Sequence, residues 1–339
     1  MKLQARQLRY ALPLVALTAV VLGYGLYRWA HRPFVSGTPV EVTIAPGSSV
    51  RSIGTQVEAA GLSLTPLLLV ALARVERRGS RLKAGTYLLT PSTTPEAFLD
   101  RREAGDVVRI ALVIPEGWTF AQMRVAMASR PDLKPTTRNL SDVELMTAVG
   151  ASEGPPEGRF FPDTYVFTRG TTDLEIYKRA YRASQRRLAD AWASRAPDLP
   201  LATPYEALTL ASLVEKETGR AEDRPLVAAV FINRLRRGMM LQTDPSVIYG
   251  MGKRFDGNLR KADLTTDTPY NTYLRPGLPP TPIALVGIAA LSAVLNPPHS
   301  DALYFVARGD GTSEFSERLI DHNRAVERYQ RGGSSRSRP

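Results

Sequence analysis

The sequence contains no cysteine, and only 3 of its 339 residues are histidine. Without thiols the chain can form neither a disulfide framework nor a thiolate metal site. Three scattered histidines also argue against a zinc enzyme, so we expect neither a metal nor a cofactor. Acidic residues are comparatively few, 33 against 44 Lys and Arg, which gives a formal charge of +11. A surplus of this size suits an anionic membrane surface, an acidic polymer or nucleic acid.

An uncharged apolar run, YALPLVALTAVVLGYGLY, occupies residues 10–27. Its length is just sufficient to cross a bilayer core of about 30 Å. The preceding segment MKLQARQLR is basic and has no acid, which favours an inside N-terminus. We therefore predict a cytoplasmic segment at 1–9 and a transmembrane helix at 10–28. A cleaved signal peptide is the alternative, but no small-x-small motif closes the run.

Strand-turn-helix patterns recur after a predicted linker at residues 29–38. Val40, Val42 and Ile44 alternate with polar residues and end at a Pro-Gly turn, and a similar unit returns near VRIALVIPEGW. These patterns predict a small α+β module at 39–135. It resembles the LysM-like folds that bind peptidoglycan sugars, although a structural spacer explains the pattern equally well.

Helical patterns dominate the rest of the chain, for which we predict an α+β catalytic domain at residues 136–330. They are interrupted by EGPPEGRFFPDTYVF, whose aromatic residues could stack on sugars or pack in an interdomain core. The low-complexity tail RGGSSRSRP, residues 331–339, is predicted to be disordered. The predicted fold class is thus α+β behind one N-terminal transmembrane helix.

A helix predicted between Thr203 and Gly219 carries two glutamates, Glu215 and Glu217. Thr203 suits the N-cap, Pro204 suits the first helical position, and Gly219 is a typical stop. Two positions rotate by roughly 200° around a helix. The two carboxyl groups therefore point to nearly opposite sides and cannot form a catalytic pair.

The Glu217 face of this helix is the more apolar one. The preceding turns place aliphatic side chains beside it, namely Leu210, Leu213 and Val214. An apolar environment raises the pKa of a carboxyl group and keeps it protonated, as a general acid requires. The alternative is that both glutamates lie on an ordinary solvated helix face. On the residues alone, Glu217 is the candidate catalytic acid.

Polar and aromatic residues cluster in two later segments, MMLQTDPSVIYGMG and DTPYNTYLRPGLPPTPI. Amides, hydroxyls and rings are what a saccharide site needs, because sugars offer hydroxyl groups and apolar ring faces. Asp244 precedes Pro245 and is also a good N-cap for a short helix. The candidate substrate-binding residues are Asn233, Gln242, Thr243, Asp244, Tyr249, Tyr270, Asn271 and Tyr273.

These segments resemble the membrane-anchored endolytic murein transglycosylases, the YceG-like family. The resemblance extends from the apolar run to about residue 330 and is densest in LASLVEKETGRAEDRPLVAAVFINRLRRGMMLQTDPSVIYGMG, TPYNTY, GLPP, LYFVA and DHN. EGRFFPDTY also matches. The family's catalytic acid is the second glutamate of EKET, which corresponds to Glu217. The chain departs from the family pattern at Thr281, Leu285, Val286, Glu314 and Arg318.

The resemblance implies a lyase that cleaves the β-1,4 bond between N-acetylmuramic acid and N-acetylglucosamine in nascent strands. The product would carry a 1,6-anhydro end, and cleavage would terminate strand elongation. No second catalytic carboxylate is evident beside Glu217, which suits a single-acid scheme. The expected partners are peptidoglycan glycan strands and cell-wall synthases. The expected location is the inner membrane, single-pass, with the catalytic domain on the periplasmic side.

Two other functions are compatible with the same residues. A hydrolysing muramidase would use Asp244 as the base for a water, and a membrane-tethered peptidoglycan-binding scaffold would not catalyse at all. Nucleic acid is not an expected partner, because no recognition motif accompanies the positive charge.

Overall fold

The computed structural model describes residues 2–78, 81–151 and 154–331 of a mixed α/β chain. The predicted disorder at residues 332–339 lies outside the described residues. The helices are α1 Lys2–Ala30, α2 Val50–Ala59, α3 Pro66–Val75, α4 Pro95–Ala104, α5 Phe120–Ala128, α6 Asp142–Val149, α7 Asp173–Ala193, α8 Pro204–Glu217, α9 Arg224–Arg236, α10 Asp244–Met251, α11 Lys261–Leu264, α12 Ile288–Leu295 and α13 Leu319–Val326, with a 3₁₀ turn at Gly252–Arg254 and a π-helical turn at Glu327–Arg331. The strands are β1 Val40–Ile44, β2 Gly85–Leu89, β3 Arg109–Val113, β4 Thr164–Thr168, β5 Tyr304–Ala307 and β6 Ser313–Ser316.

The chain divides into two compact units. The N-terminal unit is Met1–Ala111 with Val166–Gly170, and the C-terminal unit is Leu112–Tyr165 with Thr171–Pro339. Helix α5 falls within the predicted module at residues 39–135 but belongs to the C-terminal unit. Its Phe120 ring stacks on Phe160 at a centroid distance of 5.2 Å.

Strands β1 and β2 pair antiparallel in the N-terminal unit, with Val40 opposite Leu89 and Ile44 opposite Gly85. Alternate residues of β1 are buried as the sequence pattern predicts, because Val42 and Ile44 face the core. Helices α2, α3 and α4 add further buried side chains to this core, among them Ile53, Leu69 and Phe98.

Helix α1 is long and apolar enough over Pro13–Ala30 to cross a membrane, by length and composition. Its last turns join the core of the N-terminal unit, since Ala30 is buried and Leu26 and Trp29 pack against the same cluster. The predicted linker is likewise built into this unit. Residues 31–38 have no helix or strand, yet Phe34 is buried and its amide donates to the carbonyl of Thr93 at 3.2 Å.

Helix α8 lies at the centre of the C-terminal unit, and every residue from Ala207 to Val214 is buried. The Thr203 hydroxyl accepts a hydrogen bond from the amide of Glu206 and so caps the helix as predicted. Its surroundings are α9, α10 and α12, whose aliphatic side chains fill the core. Because α8 is enclosed, the position of its last turn is fixed by packing on several sides.

Candidate functional site

Glu217 is the last residue of α8, with Thr218 as the C-cap rather than the predicted Gly219. Its side chain leaves the buried part of the helix and enters a cleft of about 570 Å³. Oε2 accepts a hydrogen bond of 2.7 Å from the Thr243 hydroxyl. Oε1 has no hydrogen-bond partner among the described residues. One carboxyl oxygen is thus held by the protein, while the other is available to a ligand.

A buried hydroxyl network fixes Thr243. Its amide donates to the Thr272 hydroxyl at 3.0 Å, and its carbonyl accepts from the Ser246 hydroxyl at 2.8 Å. Thr243 and Ser246 are both buried. The adjacent Gln242, which lines the cleft, has a φ of 51°. A non-glycine residue in this left-handed region is uncommon and often marks a functional site.

Burial raises the pKa of Glu217 above its usual value. The Thr243 hydrogen bond opposes this by stabilising the carboxylate, the negative charge of Asp244 adds to it, and the positive charge of Arg234 opposes it. The raised pKa favours the protonated form that a proton donor needs. This agrees with the apolar helix face identified in the sequence.

Asp244 lies in the same cleft and accepts a 2.5 Å hydrogen bond from the Tyr273 hydroxyl. The prediction that Asp244 is an N-cap was wrong by one position, because Thr243 is the N-cap of α10 and Asp244 is its first residue. The cleft thus holds a second carboxylate near Glu217, the one that the muramidase alternative would use as a base. Its role in catalysis stays a prediction.

Arg234 forms the buried cationic wall of the cleft. Its Nε donates to the Leu303 carbonyl at 2.7 Å and its Nη1 to the Leu241 carbonyl at 2.8 Å. Its guanidinium lies 5.3 Å from the ring centroid of Tyr304. These contacts fix a permanent positive charge near Glu217, because arginine stays protonated even when burial lowers its pKa.

His322 of α13 stacks on Tyr304, with ring centroids 5.3 Å apart and an interplanar angle of 23°. Both residues line the cleft. Burial, and then the charge of Arg234, lower the pKa of His322 and favour a neutral ring. Sequence reasoning missed Arg234, Tyr304 and His322 as individual site residues. The only signal for them was the segments NRL, LYFVA and DHN.

The structure thus brings Glu217, Gln242, Thr243, Asp244 and Tyr273 together. The other predicted substrate-binding residues have different surroundings. No group of His, Asp and Glu side chains within the described ranges is arranged to hold a metal ion.

Two predicted asparagines hold loops instead of lining this cleft. Asn233 donates from Nδ2 to the carbonyls of Ser300 and Ala302, at 2.6 and 3.1 Å. Asn271 is fully buried, and its Nδ2 donates to loop carbonyls including that of Thr266 at 2.8 Å. Both amides donate to backbone carbonyls, which gives them a structural role in holding loops, and their part in substrate binding stays a prediction.

Two predicted tyrosines belong to a separate polar cluster. The Tyr249 hydroxyl donates to Glu157 Oε2 at 3.0 Å, and the Tyr249 ring packs edge-on against Tyr270 at 4.9 Å. The Tyr270 hydroxyl shares a 2.9 Å hydrogen bond with Thr281. Burial raises the pKa of Glu157 to about 7.

Glu215 has a structural contact on the opposite side of α8. Its Oε2 accepts a 3.0 Å hydrogen bond from the amide of Gly287, the N-cap residue of α12. Burial raises its pKa, and the Gly287 hydrogen bond opposes the rise. Glu215 does not line the Glu217 cleft.

The departures from the family pattern also lie away from the cleft lining. Leu285 and Val286 are core residues, and Thr281 pairs with Tyr270. Glu314 accepts from the Tyr329 hydroxyl, and Arg318 pairs with Asp321.

Comparison with known proteins places the chain in a family. The model of the YceG-like family matches residues 42–328. The endolytic murein transglycosylase of Bacillus subtilis (strain 168) is 31% identical over 311 residues, 87% of this chain and 86% of that protein. The endolytic murein transglycosylase of Streptococcus pneumoniae serotype 2 (strain D39) is 33% identical over 322 residues, 85% of this chain but 58% of that longer protein.

A solved structure shares the fold. A crystal structure from Listeria monocytogenes, described as yceG-like, matches with a TM-score of 0.53 and 32% identity, and the match covers 85% of this chain and 99% of that one. The family match therefore reaches into both units and includes every residue that lines the Glu217 cleft except Gln330. On these grounds the chain belongs to the YceG-like family.

Proposed function

We propose that this chain is a membrane-anchored peptidoglycan lytic transglycosylase in which Glu217 is the catalytic acid. The observation that carries the proposal is the Glu217 carboxyl, with one oxygen held by Thr243, the other free, and a pKa raised by burial. The relatives named endolytic murein transglycosylase support the same activity.

The reaction needs no water and one proton carrier. Protonated Glu217 donates its proton to the glycosidic oxygen while the bond from that oxygen to C1 breaks. The Glu217 carboxylate then accepts the proton of the C6 hydroxyl of the same muramoyl residue as O6 bonds to C1. A 1,6-anhydro ring forms, and Glu217 returns to its protonated state, so the enzyme is unchanged after one turnover.

The surrounding charges suit both stages. Arg234 stabilises the carboxylate that Glu217 becomes after donating its proton, and Asp244 favours the positive charge that develops at C1. Gln242, exposed on its left-handed turn, is placed to hydrogen-bond a sugar substituent. Tyr273 holds the Asp244 carboxylate through its hydroxyl.

One observation favours a second candidate, a hydrolysing muramidase. Asp244 shares the cleft with Glu217, and a second carboxylate is what a hydrolase needs to activate a water. Its engagement by Tyr273 argues for the electrostatic role instead. The two schemes differ in whether solvent oxygen enters the product.

Cleavage of purified glycan strands in heavy-oxygen water tests the reaction type. We expect 1,6-anhydro ends without the heavy isotope, measured by mass spectrometry, because O6 attacks within the same sugar. Reducing ends that carry the heavy isotope would establish hydrolysis. Strands that stay intact would favour the non-catalytic scaffold.

Asp244→Asn is the first prediction, and it tests the same point from the protein side. The amide keeps a hydrogen-bond acceptor for Tyr273 but removes the charge. We expect activity within roughly 10²-fold of wild type, with every new end still an anhydro sugar. Complete loss of turnover in a variant that folds would favour Asp244 as a base.

Three finer features are part of the proposal. Helix α1 anchors the chain to the inner membrane with the catalytic domain on the periplasmic side, which its basic N-terminal flank supports. The N-terminal unit, which contains most of the module predicted at residues 39–135, holds glycan as a LysM-like module. Cleavage next to cell-wall synthases terminates strand elongation. The LysM-like role is tested by comparing how much glycan is pulled down by the wild type and by a variant whose N-terminal unit is unfolded by a core substitution. The termination of strands is tested by measuring glycan strand length in cells that carry an inactive variant of this protein.

A further inference from the structure

We propose that His322 recognises the acetamido group of the glycan by donating a hydrogen bond from Nε2–H to its carbonyl oxygen. The proposal rests on the proposed function, because the acetamido group belongs to the substrate class assigned to this cleft. His322 lies on α13, far along the chain from Glu217, and lines the same cleft.

The two ring nitrogens of His322 have different surroundings. Nδ1 is buried and has no hydrogen-bond partner, whereas Nε2 is neither buried nor bonded within the described part of the chain. Either form of the buried Nδ1 loses its water, but proteins leave a buried N–H without a partner more rarely than a buried acceptor, and a proton on Nε2 can still be bonded by solvent or by a ligand. The proton of the neutral ring therefore belongs on Nε2.

The surroundings of the ring keep this tautomer in place. Stacking on Tyr304 fixes the plane of the imidazole, and the Arg234 charge disfavours a second proton. His322 thus presents one fixed donor and no acceptor to the cleft. Its counterpart in a ligand must be an acceptor.

The acetamido carbonyl is the best acceptor on an uncharged sugar unit, and its methyl group needs an apolar neighbour. Apolar side chains accompany His322 along the cleft, among them Phe305, Leu319 and Val326. A hydroxyl group of the sugar would use the donor but not the apolar lining. The combination favours an N-acetyl group.

Variants at His322 separate the donor from the ring. His322→Phe keeps a ring to stack on Tyr304 but has no donor, whereas His322→Gln can place an amide N–H near the position of Nε2. The control is His299→Phe, since His299 is exposed and outside this cleft. All are compared as full-length protein in detergent.

Two glycan substrates are needed, native strands and strands whose acetyl groups are replaced by trifluoroacetyl groups, which are bulkier and whose carbonyl oxygen accepts hydrogen bonds more weakly. On native strands we expect kcat/KM of His322→Phe to fall about tenfold, with His322→Gln largely restored and His299→Phe unchanged. On trifluoroacetylated strands the wild type and His322→Phe should differ by less than about twofold. The comparison uses ratios, so a general slowing by fluorine cancels.

An equal loss for His322→Phe on both substrates would overturn the proposal, and so would failure of His322→Gln to recover activity. These outcomes are independent of the reaction type. If the products carried reducing ends, the proposed function would fail. The ratio of kcat/KM between wild type and His322→Phe could still be compared on the two substrates.

Discussion

At the scale of single residues, the two glutamates in the last turn of α8 have different contacts. Glu217 contacts Thr243 in the cleft, and Glu215 accepts from the Gly287 amide at the start of α12. That the two side chains point to opposite sides of the helix could be predicted from helix geometry, and that Glu217 has the more apolar surroundings could be predicted from the residues in the preceding turns. The partners could not, because Thr243 and Gly287 come from segments whose position depends on the whole fold.

The second prediction compares these two residues. Glu217→Gln keeps the shape but cannot donate a proton, so we expect a loss of about 10²–10⁴-fold or more in the rate of strand cleavage. Glu215→Gln still accepts from Gly287 through its amide oxygen and should retain most activity. Both variants should melt close to wild type in calorimetry. If Glu215→Gln were the inactive variant, the assignment of the acid would be wrong.

The third prediction concerns the hydroxyl that touches the acid. Thr243→Val removes the donor that stabilises the Glu217 carboxylate, so the pKa of Glu217 should rise further. The activity of a general acid is lost as pH rises through its pKa, so the alkaline limb of the pH–rate profile should move to higher pH. Thr243→Ser keeps the hydroxyl and is the matched control. A limb that moves equally in both variants, or not at all, would exclude this role for Thr243.

At the scale of elements, closeness along the chain does not place residues in the same cleft. Tyr249, Tyr270 and Asn271 lie close in sequence to Asp244 and Tyr273 but do not line the Glu217 cleft, and their role in substrate binding stays a prediction. Tyr249 lies on α10 but contacts Glu157 and not the cleft that Asp244, the first residue of α10, lines. The Nδ2 group of Asn271 donates to loop carbonyls. Strand β5 and helix α13 bring Tyr304 and His322 to the cleft instead. Sequence distance gave no indication of that.

Glu157 joins two of these elements. Its Oε1 accepts from the Phe120 amide at the start of α5 at 2.9 Å, and its Oε2 accepts from Tyr249 on α10. Its side chain is buried, and its pKa of about 7 lies above the ordinary value of 4.5. The folded protein therefore binds this proton more tightly than the unfolded chain does. The resulting stabilisation is complete below pH 4.5 and is lost as pH rises through about 7.

The fourth prediction is that Glu157→Gln removes this pH dependence. Between pH 5 and pH 8 the wild type should lose roughly 3 kcal/mol of its free energy of unfolding through this one group, and the variant should not. Denaturant unfolding followed by tryptophan fluorescence at both pH values measures the difference. Glu317→Gln, at an exposed position, is the control. Parallel pH curves for wild type and Glu157→Gln would show that Glu157 does not titrate as described.

At the scale of the whole molecule, the α+β class and the apolar N-terminal helix were predictable from composition and periodicity. The division of the chain was not, because the strand-turn-helix pattern around β3 and α5 resembles that around β1 and α2. What separates them is side-chain packing: Phe120 joins the aromatic cluster of Phe160 and Tyr177. No local pattern encodes that choice.

The fifth prediction concerns where the N-terminal helix can be removed. A fragment that begins at Arg32 would lose Leu26, Trp29 and Ala30, which pack in the core of the N-terminal unit. A fragment that begins at Gly25 keeps them and removes most of the apolar run. Both should cleave glycan, because every residue of the Glu217 cleft lies in the C-terminal unit. The longer fragment should have the higher melting temperature, and equal melting temperatures would contradict the packing argument.

The continuity between α1 and the N-terminal core has a mechanical consequence. If α1 crosses a bilayer as proposed, the described residues provide no flexible tether between it and this unit, so any tilt that the bilayer imposes on the helix rotates the unit by the same angle. Its first core contact, Leu26, is also within about four helical turns of Pro13, where the membrane-compatible segment begins. A change in bilayer thickness would therefore reorient the unit at the membrane surface instead of being absorbed by a linker, and the lipid composition would become part of how the enzyme meets its glycan.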